Sequence, residues 1–257
     1  MRKQPGTQFA AIIPARYAST RFPGKPLVRI GSKTMIQRVY EQAQKAVEMV
    51  YVATDDDRIL NAVREFGGKA VLTSTEHFSG TDRCAEAVGK IMEETGLQVD
   101  IVLNIQGDEP FIEPGQIDLL KSCFNDKNVQ IATLIRKTRP GEDIFNPNQV
   151  KVILDSFGNA IYFSRAAIPY CRGTDEGEWS KEHVFFKHLG LYAYKTKILK
   201  KITKLARSPL EIAESLEQNR WLENGLKIRT AVTDHESISI DTPDDLERAL
   251  SQHGDFI

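Results

Sequence analysis

Short apolar runs alternate with segments of helical periodicity over the first half of the chain. The apolar runs predict strands that are buried on both faces, and apolar residues spaced three and four apart predict amphipathic helices. Strands that alternate with helices of 10–15 residues favour a parallel sheet with helices on both faces. The predicted strands are residues 9–14, 50–54, 70–72 and 101–105, and the predicted helices are residues 34–47, 58–66, 82–94 and 114–124.

Beyond residue 130 the pattern is richer in strands. Residues 156–159, Ser-Phe-Gly-Asn, predict a hairpin turn. The polar segment 171–181 carries glycines and predicts an exposed, mobile loop. The remaining predictions are strands at 129–137, 150–155, 160–164, 188–194 and 228–232, and helices at 195–205, 210–222 and 243–252.

The composition is that of a globular protein. Of the 257 residues, 41% are hydrophobic and 27% are charged, and no apolar run approaches the ~20 residues of a membrane-spanning helix. The N-terminus lacks the apolar core of a signal peptide. Cys84, Cys123 and Cys171 are too widely spaced for a zinc motif, and they fit a reducing cytoplasm.

Charge is unevenly distributed although the net charge is only −1. Residues 1–50 contain nine Lys and Arg but two Asp and Glu, whereas residues 51–130 contain seven and fifteen. One interpretation is a phosphate-binding region beside a metal-binding region, and the other is a salt-bridged surface. The near-neutral total argues against nucleic acid as a partner.

The loop after the first predicted strand is basic. Residues 15–26 include Arg16, Arg21 and Lys25 but no acid. Several cations and exposed backbone N–H groups are what a polyphosphate needs. The loop lacks the spacing of a Walker A motif, and the chain has no G-x-G-x-x-G fingerprint. A basic surface loop without a ligand is the alternative.

Two carboxylates follow short apolar stretches. Asp108 comes directly after the predicted strand 101–105 and Gly107, and Asp241 comes just before Thr-Pro-Asp. Ligands of open α/β sheets bind at the carboxyl ends of strands, and Mg²⁺ takes one or two carboxylates together with phosphate oxygens. The alternative is that both residues cap helices, and Asp241 could do so for the helix 243–252.

Taken together, the motifs resemble one family. The stretch Ile12–Leu27, IIPARYASTRFPGKPL, closely resembles the opening of the 3-deoxy-manno-octulosonate cytidylyltransferases, or CMP-Kdo synthetases. The resemblance extends over residues 9–250. Further motifs in the family's order are Val52–Asp55, Ser79–Arg83, Gln106–Pro110, Phe145–Asn148, Tyr162–Arg165, His188–Gly190, Ser208–Glu211 and Asp241–Pro243.

The resemblance implies a Rossmann-like nucleotide-diphospho-sugar transferase fold. This α/β fold has a mixed, mostly parallel central sheet flanked by helices and a smaller β-rich dimerisation subregion. Residues 1–257 would form one domain, with a nucleotide-binding part to about 130 and a sugar-binding and dimerisation part from 131. The implied protein is a cytoplasmic homodimer that uses Mg²⁺ to convert CTP and Kdo into CMP-Kdo and pyrophosphate for lipopolysaccharide synthesis.

The resemblance also implies roles for individual residues. The implied catalytic residues are Arg16, Lys25, Asp108 and Asp241, of which Asp108 and Asp241 are the metal ligands. The implied nucleotide-binding residues are Arg16, Ser19, Arg21, Lys25, Ser79, Gly80, Arg83 and Gln106. The implied residues of the sugar pocket are Gln106, Arg165, His188, Tyr192, Glu217 and Gln218.

Some positions depart from the family's pattern. Phe22 stands where Leu is more usual, Asp82 stands where Glu is usual, and residues 171–181 match no family segment. These departures leave the implied activity intact and leave the sugar specificity open. A cytidylyltransferase for a related acid sugar, such as an amino-Kdo, is one alternative, and a non-catalytic nucleotide-binding module is another.

Overall fold

The computed structural model describes residues 6–18, 21–236 and 238–252. The strands are β1 (Phe9–Ala15), β2 (Arg29–Ile30), β3 (Lys33–Thr34), β4 (Met49–Thr54), β5 (Ala70–Leu72), β6 (Ile101–Asn104), β7 (Ile131–Lys137), β8 (Lys151–Leu154), β9 (Ala160–Ser164), β10 (Phe186–Lys195) and β11 (Ile228–Val232). The α-helices are α1 (Met35–Gln44), α2 (Asp57–Glu65), α3 (Gly80–Thr95), α4 (Pro114–Ser122), α5 (Trp179–Glu182), α6 (Thr196–Ile202), α7 (Pro209–Glu214), α8 (Glu217–Glu223) and α9 (Pro243–Gln252).

The chain divides into two compact units. The first unit contains the described residues of 1–118, 193–203 and 237–257, and the second contains residues 119–192 and 204–236. No helix in the described ranges is long and apolar enough to cross a membrane.

The first unit contains a parallel sheet. β1 pairs in parallel with β4 and with β6, and β4 pairs in parallel with β5. The interior of β1 is apolar and buried, as expected of a strand inside such a sheet. Helices α1 and α3 pack against this sheet and α2 packs against β4 and β5, which confirms the strand–helix alternation predicted from the sequence.

A small apolar cluster holds the C-terminal helix in the first unit. Ile30 of the β2–β3 hairpin, Met35 of α1 and Phe111 are buried together with Ile240 and with Ala249 of α9. The burial of these side chains, at about 25 cal/mol per Å² of apolar surface, is what fixes α9 on this unit. The residue after Ile240 is Asp241, so the cluster also positions a candidate site residue.

The second unit contains both parallel and antiparallel strand pairs. β11 is parallel to β7, whereas β8 is antiparallel to β9 and to β10. The predicted hairpin turn joins β8 to β9, with Gly158 at φ 77° and the Asp155 carboxylate accepting from the backbone of Phe157 and Asn159. Across the whole chain the sheet is mixed and mostly parallel, which confirms the predicted fold class.

Two predicted elements of the second unit are wrong. The helix predicted at 210–222 is two helices, α7 and α8, because Ser215 takes a left-handed conformation with φ 51° and ends α7. The loop predicted at 171–181 contains a 3-10 turn at Glu176–Glu178 and the start of α5. Trp179 explains this order, since its side chain is buried against Ile144 and Phe185.

Candidate active site

A cavity of about 310 Å³ opens in the first unit where β1 and β6 end. Both strands run in the same direction, so their carboxyl ends lie at the same edge of the sheet, where α/β proteins bind ligands. The lining residues are Pro14, Ala15, Arg16, Arg21, Lys25, Pro26, His77, Phe78, Ser79, Gly80, Arg83, Gln106, Gly107, Asp108 and Asp241.

Lys25 joins the two predicted metal-binding carboxylates. Its Nζ donates to Oδ2 of Asp108 over 2.6 Å and to Oδ1 of Asp241 over 2.9 Å. Arg21 reaches the other oxygen of Asp241 over 3.1 Å. Residues that are far apart in the sequence therefore meet at one point, and the two carboxylates share one ammonium group.

The backbone brings the two carboxylates together. The N–H of Ile240 donates to the carbonyl of Asp108 over 2.9 Å, so Asp241 lies next to the loop that follows β6. Thr242 caps the following helix, since its hydroxyl accepts from the N–H of Asp245 over 3.2 Å. The interpretation of Asp241 as the cap of α9 is therefore wrong, and its carboxylate points to Lys25 instead.

A tight turn in the basic loop, residues 15–26, positions Lys25 at the cavity. Gly24 has φ 72° and donates its N–H to the carbonyl of Tyr17 over 2.9 Å. The Arg58 guanidinium lies over the Tyr17 ring at 3.3 Å from its centroid, a cation–π contact that holds the start of the loop. A side chain at Gly24 would be strained at this φ and would press on the Tyr17 ring. Arg16 is exposed at the cavity.

The N-terminus of α3 forms another wall of the cavity. The hydroxyl of Ser79 accepts from the N–H of Asp82 over 3.1 Å, and the Asp82 carboxylate accepts from the N–H of Ser79, which completes a capping box. In other capping boxes a Glu carboxylate usually accepts this hydrogen bond, and here the Asp82 carboxylate accepts it. The N-terminal end of a helix attracts anions through its N–H groups and its dipole.

Gly107 lets the loop after β6 approach β1. A Cβ atom at this position would come within 2.8 Å of the backbone carbonyl of Pro14, which real Cβ atoms do not do. Glycine is therefore required for the close packing of the two strand ends. Gln106, the residue before it, also lines the cavity.

Arg83 is built into the cavity wall. Its guanidinium donates to the Asp55 carboxylate over 2.7 Å and to the Thr73 hydroxyl over 2.6 Å, and its side chain is almost fully buried. The structure thus brings Arg83 to the predicted site but pairs its charge with Asp55. Ser19, also predicted to bind the nucleotide, lies outside the described residues.

Sequence reasoning missed two cavity residues, His77 and Phe78. His77 pairs with Glu86 of α3, and Phe78 is almost fully exposed beside the cavity. Partial burial raises the pKa of Glu86, but hydrogen bonds from Lys90, the Ser74 N–H and His77 outweigh it and hold that pKa at about 2. For Phe78, the sequence offered one signal: an aromatic residue lies directly before Ser79, which begins the capping box of α3.

Electrostatics around Lys25 favour its charged form. Burial lowers the pKa of its ammonium, but the charges and hydrogen bonds of Asp108 and Asp241 outweigh the burial and hold the pKa above its usual value.

The donor set at Lys25 fits the magnesium ion that the resemblance implies. Asp108 and Asp241 direct one oxygen each at the same cation, and a pair of carboxylates completed by substrate phosphates is the usual protein environment of Mg²⁺. The described residues contain no group of three or more His, Cys, Asp or Glu side chains arranged for a metal. Water or substrate oxygens would therefore complete the coordination of a metal here.

The predicted sugar-binding residues, apart from Gln106, lie in the second unit. The Arg165 guanidinium donates to three backbone carbonyls, those of Glu214 (2.7 Å), Pro147 (3.0 Å) and Ser215 (3.4 Å). Carbonyls orient the guanidinium without cancelling its charge. The Glu214 carboxylate accepts from the Arg165 backbone N–H over 3.0 Å, and the Arg165 charge helps to lower the pKa of Glu214. A guanidinium held in this way can still bind an acidic ligand through its free N–H groups.

His188 and Tyr192 lie together on β10. Their ring centroids are 5.2 Å apart, and Phe163 packs edge-on against His188 at 5.0 Å. His188 is half-buried, and desolvation of its imidazole lowers the pKa to about 3. Burial and the nearby Glu217 carboxylate raise the pKa of the Tyr192 phenol well above its usual value. Both rings are therefore uncharged at neutral pH.

The remaining two predicted residues lie at the start of α8. Glu217 accepts from Arg220 over 2.7 Å, and Gln218 is buried. The edge of Trp221, one turn along the same helix, packs against Tyr192 at 5.2 Å. Residues His188, Tyr192, Glu217 and Gln218 are thus grouped where β10 meets α8.

Comparison with known proteins identifies the family. The family model described as cytidylyltransferase matches residues 10–228. The chain belongs to the cytidylyltransferase family. It is 57% identical to a 3-deoxy-manno-octulosonate cytidylyltransferase of Parabacteroides distasonis over 95% of this chain and 97% of that one. A relative of the same name from Bacteroides thetaiotaomicron is 56% identical over 94% and 96%.

A solved structure agrees with this family membership. The CMP:2-keto-3-deoxy-manno-octonic acid synthetase complexed with CTP is 39% identical, with a TM-score of 0.87. The alignment covers 98% of this chain and all of that chain. Cytidylyltransferases are nucleotidyltransferases, so the predicted enzyme class is confirmed.

Proposed function

We propose that the chain transfers CMP from CTP to 3-deoxy-D-manno-octulosonate (Kdo), giving CMP-Kdo and pyrophosphate. The observation that carries the proposal is the convergence of Asp108 and Asp241 on Lys25 in a cavity that also contains Arg16 and Arg21. The names of the relatives and the CTP complex of the solved structure support the same reaction.

The reaction is an in-line displacement at the α-phosphorus of CTP. The anomeric hydroxyl of Kdo attacks, the new oxygen–phosphorus bond forms, and the bond to the leaving pyrophosphate breaks. The protein contributes positioning and charge neutralisation rather than a covalent intermediate. Arg16, Arg21 and Lys25 would neutralise the triphosphate, while Ser79 and Gly80 would present it to the N-terminus of α3, and we keep Ser19 in this group as a proposal.

Asp108 and Asp241 would hold Mg²⁺. When bound, Mg²⁺ supplies a Lewis acid beside the reacting phosphate and favours ionisation of the attacking hydroxyl. The Lys25 ammonium, which the two carboxylates share in this structure, would then be available to the phosphates. Arg83 would act by holding the wall of the nucleotide cavity through Asp55.

We assign recognition of the acid sugar to the remaining predicted residues. Arg165 carries the positive charge for its carboxylate, and His188 and Tyr192 offer uncharged polar groups for its hydroxyls. Gln106, Glu217 and Gln218 complete the proposed set. We further propose a nucleotide-binding part to about residue 130, a sugar-binding and dimerisation part from 131, a homodimer in the cytoplasm, and a role in lipopolysaccharide synthesis.

The test is pyrophosphate release by the purified chain with CTP, Mg²⁺ and Kdo. UTP, ATP and other acid sugars serve as parallel substrates. Release that needs both CTP and Kdo supports the proposal, whereas release with CTP and a different acid sugar reassigns the substrate. Binding of CTP without release in any combination would overturn the enzymatic role and favour a nucleotide-binding module.

A further inference from the structure

Thr133 contacts the imidazole of His188 from the neighbouring strand. Thr133 lies in β7 and is fully buried. Its hydroxyl oxygen is 3.1 Å from Nε2 of His188 and donates to the carbonyl of Leu191 over 2.8 Å. All three residues belong to the second unit.

The partners of the Thr133 hydroxyl favour one direction for the hydrogen bond between Thr133 and His188. A threonine hydroxyl has one proton to donate and two lone pairs that accept. The Leu191 carbonyl can only accept, and at 2.8 Å it lies nearer than Nε2 of His188 at 3.1 Å, so it is the better acceptor for the Thr133 proton. The Tyr192 phenol also hydrogen-bonds to Thr133. The two lone pairs of the Thr133 oxygen can then accept from Tyr192 and from His188, and the second of these bonds requires the imidazole to carry its proton on Nε2.

The other ring nitrogen is consequently an acceptor. A neutral imidazole protonated on Nε2 has a lone pair on Nδ1. Among the residues that the structure describes, none hydrogen-bonds to Nδ1 of His188, although its backbone N–H and Nε2 are both bonded. Part of the residue's surface is exposed.

We propose that Thr133 is a positioning residue that holds His188 in the Nε2–H tautomer and thereby makes Nδ1 the acceptor for one hydroxyl of the acid sugar. This inference rests on the proposed function, because it assigns His188 to the sugar. A neutral acceptor selects a hydroxyl and not a carboxylate, which leaves the charged group of the sugar to Arg165. The low pKa of His188 agrees with an imidazole that stays neutral.

The packing around the ring supports a positioning role. Phe163 holds one side of the imidazole at 5.0 Å and Tyr192 lies at 5.2 Å, so the ring plane is determined by its neighbours. The hydrogen bond to Thr133 then selects between the two tautomers that this plane allows. Without the Thr133 hydroxyl both tautomers would be populated. In the molecules protonated on Nδ1, that nitrogen would present a donor to the sugar hydroxyl instead of an acceptor.

The test combines one substitution, one rescue and one matched control. Thr133→Val removes the hydroxyl and nearly preserves the shape, and Thr133→Ser keeps the hydroxyl. Thr230→Val makes the same change at the residue paired with Thr133 on β11, whose hydroxyl bonds to Gly158 instead. We expect Thr133→Val to raise the KM for Kdo about tenfold with the KM for CTP unchanged, Thr133→Ser to restore it, and Thr230→Val to leave it unchanged.

A second readout is independent of activity. Long-range ¹H–¹⁵N spectra of the ligand-free protein report the tautomer of each histidine, and His188→Gln assigns the signal. We expect Nε2–H for His188 in the wild type and in Thr133→Ser, and a mixture in Thr133→Val. An Nδ1–H tautomer in the wild type, or an unchanged tautomer and KM in Thr133→Val, would overturn the proposal. Absence of turnover by the wild type would overturn the proposed function, and the tautomer spectrum would then decide the role of Thr133 alone.

Discussion

Lys25 is the residue at which the opposite charges of the first unit meet. The basic N-terminal segment supplies the ammonium, and acids from two other parts of the chain, Asp108 and Asp241, accept its hydrogen bonds. The ammonium offsets the repulsion between the two carboxylates and so keeps them close together. In the reaction that we propose, the same ammonium would bind the triphosphate once a divalent cation takes its place between the carboxylates.

Lys25→Ala should impair the use of CTP far more than the use of Kdo. The substitution removes a cation from the cavity in which we place the triphosphate, and it leaves the second unit unchanged. We expect the KM for CTP to rise at least about tenfold, while the KM for Kdo changes by less than about threefold. Steady-state kinetics with each substrate varied in turn make the comparison, and equal effects on both KM values would argue against a triphosphate role.

His188 makes stability depend on pH. In the unfolded chain its pKa is about 6.5, and in the folded protein it is about 3. Between these values the unfolded state binds more protons, so the free energy of unfolding falls as the pH falls from 6.5 towards 3. Urea denaturation at pH 7.5 and pH 5 should show a larger loss for the wild type than for His188→Gln, and equal losses would contradict this assignment.

At the scale of elements, local patterns predicted most of the first unit. The apolar run at residues 9–14 and the helical spacing at 58–66 gave strands and helices within two residues of those observed, because buried parallel strands are continuously apolar. The prediction of one helix at 210–222 was wrong because the apolar spacing continues across Ser215, whose left-handed conformation ends α7. The two-residue strands β2 and β3 are too short for any periodicity.

Most of the candidate cavity could also be predicted from the sequence. Asp108 and the basic loop come just after predicted strands, and Asp241 comes after a short apolar stretch and before a predicted helix. These positions are the signal. The pairing of both carboxylates with Lys25 could not be predicted, since it depends on the backbone hydrogen bond between Ile240 and Asp108. The pairing of Arg83 with Asp55 depends in the same way on contacts between distant segments.

Ser79→Ala should destabilise α3 at the end that faces the cavity. The capping box satisfies N–H groups of the first turn, and replacing such a serine by alanine costs about 1 kcal/mol. We expect the urea midpoint to fall with the m-value unchanged. The control is Ser156→Ala in the exposed hairpin turn, expected within about 0.5 kcal/mol of the wild type. A loss in the control as large as that of Ser79→Ala would show that the cap contributes nothing specific.

At the scale of the whole molecule, the uneven charge of the sequence has a structural outcome. A cation of residues 1–50 and an acid of residues 51–130 form an ion pair at Lys25 and Asp108, as the interpretation of a salt-bridged surface predicts. The interpretation of a phosphate-binding region beside a metal-binding region stays a prediction. The relatives match nearly the whole chain, in agreement with one family fold spanning both units. The division of labour between the units and the homodimer stay predictions.

The central claim is that Asp108 and Asp241 form the reaction centre, and Asp108→Asn tests it most directly. The decisive measurement is pyrophosphate release from CTP and Kdo at saturating Mg²⁺, with circular dichroism to confirm the fold. Asp244→Asn, an exposed neighbour of Asp241 in the first turn of α9, is the matched control. The account predicts a loss of at least about 100-fold for Asp108→Asn and near-normal turnover for the control. Near-normal turnover of folded Asp108→Asn would contradict it.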